Sequence, residues 1–210
     1  MSNIKNIVFD FGNVLFDLDL PSIERELRAA AGENFEAGQA KLLKDNVFDL
    51  YETGGLTTDE FVDAVRFAVE PPLTEAQVVA AWNSIFRQLP AHRLEMLLRL
   101  RQRYNVFLLS NINDLHERWI NDYLRREHGI TDFEARFFDA VYYSHLVRLR
   151  KPGREIFEYA LADAEMVPEE TLFFDDLPDN VATANQLGIK GILHPVGTEI
   201  ADVIGKYLPD

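Results

Sequence analysis

Asp10, Ser110-Asn111, Lys151 and Asp175-Asp176 are the residues whose types and positions in this chain suit chemistry. Three of these four groups directly follow a short apolar run, and Lys151 stands at a helix entrance a short loop past another. A carboxylate so placed can attack phosphorus and form an acyl phosphate. Carboxylates gathered together repel, by roughly 4 kcal/mol per pair at about 4 Å and an effective dielectric near 20. A phosphate dianion adds to that repulsion. One lysine does not compensate for Asp10, Asp176 and a phosphate, whereas a divalent cation does. Magnesium takes oxygen ligands that include one or two carboxylates and a substrate phosphate. Ser110 and the backbone amides around Asn111 suit hydrogen bonds to phosphate oxygens, and Lys151 suits neutralisation of charge on the same group. Singly, each has a plainer reading. Asp10 caps a turn, Ser110-Asn111 are turn residues, Lys151 is a solvated lysine, and Asn180 is solvated or structural. The acid pair resists that treatment, because adjacent like charges behind Leu172-Phe173-Phe174 call for a counterion.

The elements that position these residues are read from hydrophobic pattern. Ile7-Val8-Phe9, Val106 to Leu109, Ala140 to Tyr143, Thr171 to Phe174 and Gly191-Ile192-Leu193 are short, continuous apolar runs that predict buried strands. Helices are expected at His92 to Arg103, at Pro152 to Ala164 with Pro152 in a first helical position, and at Pro178 to Leu187 with Gly188 just beyond. This alternation predicts an α/β fold, a Rossmann-like parallel sheet covered on both faces, with its site beyond the carboxyl ends of the strands. Between the first two strands the rhythm breaks. Helices alone are expected there: Pro21 to Ala31, Gly38 to Leu50, Thr57 to Val69 and Thr74 to Phe86, punctuated by Gly54-Gly55 and Pro71-Pro72. The expected organisation is a core of residues 1–16 and 92–210 with a small inserted helical cap of residues 17–91 over the site. Trp82 and Phe86, one turn apart, are expected in the cap's own core, and His116 on a solvated helix face.

With 47% hydrophobic residues, a chain of this length buries roughly 70–75% of its unfolded surface and needs no covalent staple. The absence of cysteine excludes disulfides and thiolate metal sites. A net charge of −14 argues against nucleic acid or an anionic membrane as partner. No apolar run is long enough for a membrane helix, and Met1 to Lys5 lead straight into the first strand, so a cytoplasmic location is expected. No exposed apolar stripe predicts a dimer, and the oligomeric state is left open.

In order, the motifs are Ile7-Val8-Phe9-Asp10-Phe11-Gly12-Asn13-Val14, Leu108-Leu109-Ser110-Asn111, Arg150-Lys151-Pro152, and Phe173-Phe174-Asp175-Asp176 followed by Asn180, Ala184 and Gly188. This set resembles the haloacid dehalogenase (HAD) superfamily over nearly the whole chain. It is most similar to the subgroup with a Gly-Asn-Val first motif, which includes glucose-1-phosphate phosphatase, and more distantly to the amino-terminal phosphatase domain of soluble epoxide hydrolase. The resemblance implies a Mg2+-dependent phosphatase acting on a small phosphorylated metabolite through an aspartyl-phosphate. It implies sugar phosphates by preference, with nucleotides and other small esters open. Asp10 would be nucleophile and metal ligand, the Gly12 carbonyl and Asp176 further ligands, with Asp175 nearby or water-bridged. Ser110 and Asn111 would bind the phosphate, and Lys151 would hold both nucleophile and phosphate.

One departure stands out. Most phosphatases of the superfamily carry a second Asp where this chain has Gly12, and a missing general acid costs a factor of about 10²–10⁴. Asp17 and Asp19 lie close by in sequence but read better as surface acids at the cap's start. Two alternatives follow: a 2-haloacid dehalogenase, which needs no metal and does not normally carry the adjacent acid pair, and a non-catalytic binding protein that keeps the fold.

Overall fold

The computed structural model describes residues 4–208; the extreme ends of the expected core, residues 1–3 and 209–210, lie outside them. A parallel sheet of five strands is laid down by β1 (Asn6–Phe9), β4 (Asn105–Ser110), β5 (Ala140–Tyr143), β6 (Thr171–Asp175) and β7 (Lys190–Leu193), in the order β5-β4-β1-β6-β7. All five apolar runs are strands. Side chains alternate across the sheet, so Ile7, Phe9, Leu108 and Phe174 enter one core and Val8, Phe107, Leu109 and Phe173 the other. The first core is closed by α6 (Ala91–Leu100), α7 (Asp114–His128), α8 (Phe133–Phe137) and α12 (Ile200–Ile204). The second is closed by α10 (Arg154–Asp163) and α11 (Pro178–Gln186). Chain order runs outward from β1 through β4 and β5, then resumes on the other side with β6 and β7. The carboxyl ends of β1 and β6 therefore flank the reversal, where open α/β sheets place their ligands.

Between β1 and β4 lie α1 (Pro21–Ala31), α2 (Phe35–Lys44), α3 (Val47–Glu52), α4 (Thr58–Arg66) and α5 (Glu75–Asn83). They share a core that includes Leu27, Phe35, Leu42, Tyr51, Phe61, Val65 and Trp82. Thr57 and Thr74 cap α4 and α5 with complete capping boxes, which is why those helices start where the sequence says. Two expectations are corrected. The helix read over Gly38 to Leu50 is broken, because Asn46 takes a left-handed conformation (φ 52°) that an Asn tolerates and a helix interior does not. Gly38 lies within α2, where a Cβ would come 2.5 Å from Val69 Cγ1, so it serves close packing of α2 on the segment just past α4. The helix read over Thr74 to Phe86 stops at Asn83. Phe86 opens β3 (Phe86–Gln88), which pairs antiparallel with β2 (Asp17–Leu18), so the stretch is not helices alone.

That ribbon carries both chain crossings between sheet and helices. Buried Arg93 ties it down, donating to the Leu15 carbonyl at 2.9 Å, to Asp17 Oδ1 at 2.7 Å and to Glu199 Oε1 at 3.2 Å. Among the described residues no helix is long and apolar enough to cross a membrane.

Candidate active site

Asp10 leaves β1 with its N–H donated to the Phe174 carbonyl at 2.9 Å. That bond carries the β1–β6 pairing one residue past the strand and sets the Asp10 carboxylate beside the end of β6. Lys151 arrives from the loop after α9 (Ser144–Val147), the short helix that follows β5. Its Nζ donates to Asp10 Oδ1 and to Asp175 Oδ2, both at 2.7 Å, and its side chain is 1% exposed. The Lys151 backbone is gripped by Asn111, whose Nδ2 donates to the Lys151 carbonyl at 2.8 Å and whose Oδ1 accepts the Lys151 N–H at 2.9 Å. This grip holds the chain in a loop there. The helix accordingly begins at Arg154, and Pro152 stands before it rather than in a first helical position.

The adjacent acids have different surroundings. Buried Asp175 accepts the Leu177 N–H at 2.8 Å on Oδ1 and Asn180 Nδ2 at 2.9 and 3.0 Å on its two oxygens, besides Lys151. Asp176 is part-exposed, and its Oδ2 accepts Asn13 Nδ2 at 3.0 Å. Oxygens of Asp10, Asp175 and Asp176 all lie within 4.8 Å of one another.

Burial pushes the Asp10 carboxyl up to about 7, opposed by Lys151 and reinforced by Asp175 and Asp176. Burial also raises the Asp176 carboxyl. Burial alone would lower the Lys151 ammonium, but the Asp10 and Asp175 carboxylates outweigh it and raise it, so the lysine stays charged. Three carboxyls against one ammonium leave the group short of positive charge. A hard divalent cation on the free oxygens of Asp10 and Asp176 fits this deficit, and the donor set is the all-oxygen kind such cations take.

Ser110 ends β4, buried and in register with Tyr143. Both polar ends of the Asn111 side chain bond the Lys151 backbone, so that side chain shapes the loop. Leu18 crowds Gly12: a Cβ there would come 2.7 Å from Leu18 Cδ1, so the leucine side chain would have to shift to admit one. Asp17 and Asp19 are bound by arginines, Asp17 by Arg93 and Asp19 by Arg25 and Arg87.

Several residues carry more than their types suggested. Asn13, in a left-handed conformation (φ 55°), accepts the Leu18 N–H at 3.2 Å while it holds Asp176. Its place beside Gly12 in the first motif was the available signal. Asn180 is structural, as its plainer reading had it. His116 is not solvated. It is buried, with Nε2 3.0 Å from the Trp82 carbonyl and its ring stacked on Trp82, and burial pushes it down to about 4. Trp82 lies in the core of the helices as expected, while its Nε1 donates to Asn113 Oδ1 at 3.2 Å. Phe86 instead belongs to the sheet's core and stacks on Trp119.

The model of the haloacid dehalogenase-like hydrolases matches residues 4–188. The D-ribitol-5-phosphate phosphatase of Bacteroides thetaiotaomicron is 30% identical over 189 residues, 89% of this chain and 90% of its own. The structure of a HAD family enzyme from the same organism, in complex with magnesium and inorganic phosphate, is 33% identical with a TM-score of 0.85, covering 96% of this chain and 99% of that one. An L-2-haloacid dehalogenase, 19% identical with a TM-score of 0.59 over 98% of this chain and 99% of its own, shares the fold alone.

Proposed function

The chain belongs to the haloacid dehalogenase-like hydrolases, and from that premise we propose a magnesium-dependent cytoplasmic phosphatase that cleaves the monoester of a small sugar or polyol with Asp10 as its nucleophile. One observation carries the reading: Asp10 stands between a buried ammonium and a second, part-exposed carboxylate. That is the arrangement a nucleophile needs when its target is a dianion. The similarity to a D-ribitol-5-phosphate phosphatase supports a polyol or sugar ester.

In this reading Asp10 and Asp176, with the Gly12 carbonyl, hold the cation. Asp175, whose oxygens already accept from Lys151, Asn180 and the Leu177 N–H, would stand behind these ligands and meet the cation at most through water. Bound there, magnesium supplies charge that lets a carboxylate and a phosphate approach. The remaining work falls to the chain. Ser110 and the Asn111 amide orient the phosphate, and Lys151 offsets its charge. An Asp10 oxygen attacks phosphorus as the ester P–O bond breaks. The leaving alkoxide takes a proton from water, since Gly12 offers none. Water then attacks the aspartyl-phosphate, returning the Asp10 carboxylate and releasing inorganic phosphate and a proton. Residues 1–16 and 92–210 form the core in this proposal, and residues 17–91 act as a cap that excludes bulk water and selects the substrate.

The test is phosphate release from a panel of sugar and polyol phosphates, with magnesium and with chelator, beside Asp10→Asn. Release that requires both magnesium and Asp10 supports the reading. Release unaffected by chelator or by Asp10→Asn overturns it, as does chloride release from a 2-haloacid without metal.

A further inference from the structure

Ile112 follows Ser110-Asn111, and both of its peptide groups are held by one neighbouring dipeptide. Its N–H donates to Ser144 Oγ at 2.9 Å, and the Ser144 hydroxyl donates to the Ile112 carbonyl at 3.0 Å. His145 Nδ1 donates to the same carbonyl at 2.9 Å. On the far edge of the ring, Nε2 lies 3.0 Å from Glu117 Oε2, and the His145 side chain is 9% exposed. The Ile112 carbonyl can only accept, so Nδ1 is the donor on that side, and Glu117 meets the opposite ring nitrogen.

Glu117 reaches the ring from the first turn of α7. Glu134 of α8 lies beyond it, its carboxyl raised by burial and then by Glu117, and hydrogen-bonded to Tyr143. The Tyr143 ring stacks on His145 with centroids 6.1 Å apart. From the helical layer Gly54 packs against the His145 carbonyl so closely that any Cβ would collide with it. Asp114, Asp59 and Arg118 share the adjoining cleft between α4 and α7.

We propose that His145, held between Ile112 and Glu117, is a positioning residue that fixes the phosphate-binding turn Ser110-Asn111-Ile112. The proposal rests on the reading of Ser110 and Asn111 as phosphate-binding. Asn111 is pinned on one side to the Lys151 backbone, and Ser144 and His145 pin the next residue on the other. A turn fixed at both ends meets its anion without a further ordering cost.

The two bonds of the ring are separable. In His145→Asn the amide nitrogen stands where Nδ1 was and keeps the Ile112 bond. In His145→Gln it stands where Nε2 was and keeps only the Glu117 bond. The measurement is the competitive inhibition constant of inorganic phosphate on the magnesium-loaded enzyme. His145→Gln is expected to weaken phosphate about tenfold, the effect of losing one buried hydrogen bond, and His145→Asn to restore it toward the wild-type value. Thermal unfolding of the two variants checks that both are folded. Equal phosphate affinity in the two variants overturns the proposal. So does a His145 ring whose Nδ1 carries no proton in long-range 1H–15N spectra of the wild-type protein, a readout independent of activity. A wild-type enzyme that neither hydrolyses esters nor binds phosphate removes the underlying reading as well, an outcome distinct from an active enzyme whose two variants behave alike.

Discussion

The Lys151 ammonium lies 2.7 Å from Asp175 Oδ2, deep enough that neither side chain is more than 1% exposed. That contact divides the labour of two adjacent acids. Asp175 anchors the lysine that faces Asp10, while Asp176, turned to the part-exposed side and steadied by Asn13, keeps an oxygen free.

Asp175→Asn is therefore expected to destabilise the fold by about 3 kcal/mol or more, the usual cost of breaking a buried pair. Asp176→Asn is expected to leave unfolding nearly unchanged and to abolish the magnesium response. Urea unfolding and magnesium titration calorimetry separate the two. Comparable destabilisation by both variants contradicts the division.

The Asp10 carboxyl is raised from 3.8 to about 7 in the fold. Between those values the folded state keeps a proton that the unfolded chain has released, so this group makes stability fall as pH rises, by up to about 1.4 kcal/mol per unit. His116 is lowered from 6.5 to about 4. There the unfolded chain binds the extra proton, so its contribution is present above 6.5 and lost as pH falls toward 4. The two slopes oppose between roughly pH 4 and 6.5. Urea unfolding in chelator across that window is expected to show a steeper rise of stability with pH in Asp10→Asn and a shallower one in His116→Gln. Parallel profiles in wild type and both variants refute this.

Gly12→Asp alone is expected to cost roughly 1–3 kcal/mol through overpacking against Leu18. Adding Leu18→Ala relieves the clash. With no acid at position 12, the wild-type rate is expected to depend steeply on leaving-group pKa, and activated esters to be cleaved disproportionately well. The double variant is expected to flatten that dependence, read from a series of aryl phosphates. A wild-type rate independent of leaving-group pKa counts against the missing-acid account.

Arg93 joins the loop after β1, the ribbon and the segment before α12 through Leu15, Asp17 and Glu199. Arg93→Lys keeps the charge but not the fork of donors, so it is expected to recover little of the roughly 3–5 kcal/mol lost in Arg93→Ala. Full recovery by lysine in thermal unfolding shows that charge alone matters there.

The strands were legible in the chain because burial on both faces leaves an unbroken apolar run, and Asp10, Ser110 and Asp175 because each follows or ends such a run. The helices read from Thr57 and from Thr74 were legible too, and the structure shows that each opens on a capping box within four residues, a local device. The ribbon of β2 and β3 was illegible: its partners, Asp17 and Gln88, lie 71 residues apart, and two or three residues are too few to show a period. His116 was misplaced for a related reason, since its neighbour Trp82 comes from a distant helix.

By itself the sequence determined which residue types stand at the carboxyl ends of the strands, and with them the chemistry available to the site. Only the tertiary structure decided how they are used: that Asp175 serves Lys151, that Asn111 is spent on the Lys151 backbone, that Leu18 occupies the space at Gly12, and that His145 reaches Ile112. Strand and helix signals arise from neighbours along the chain. A hydrogen bond between side chains arises from where distant segments are brought by packing, and no local pattern records it.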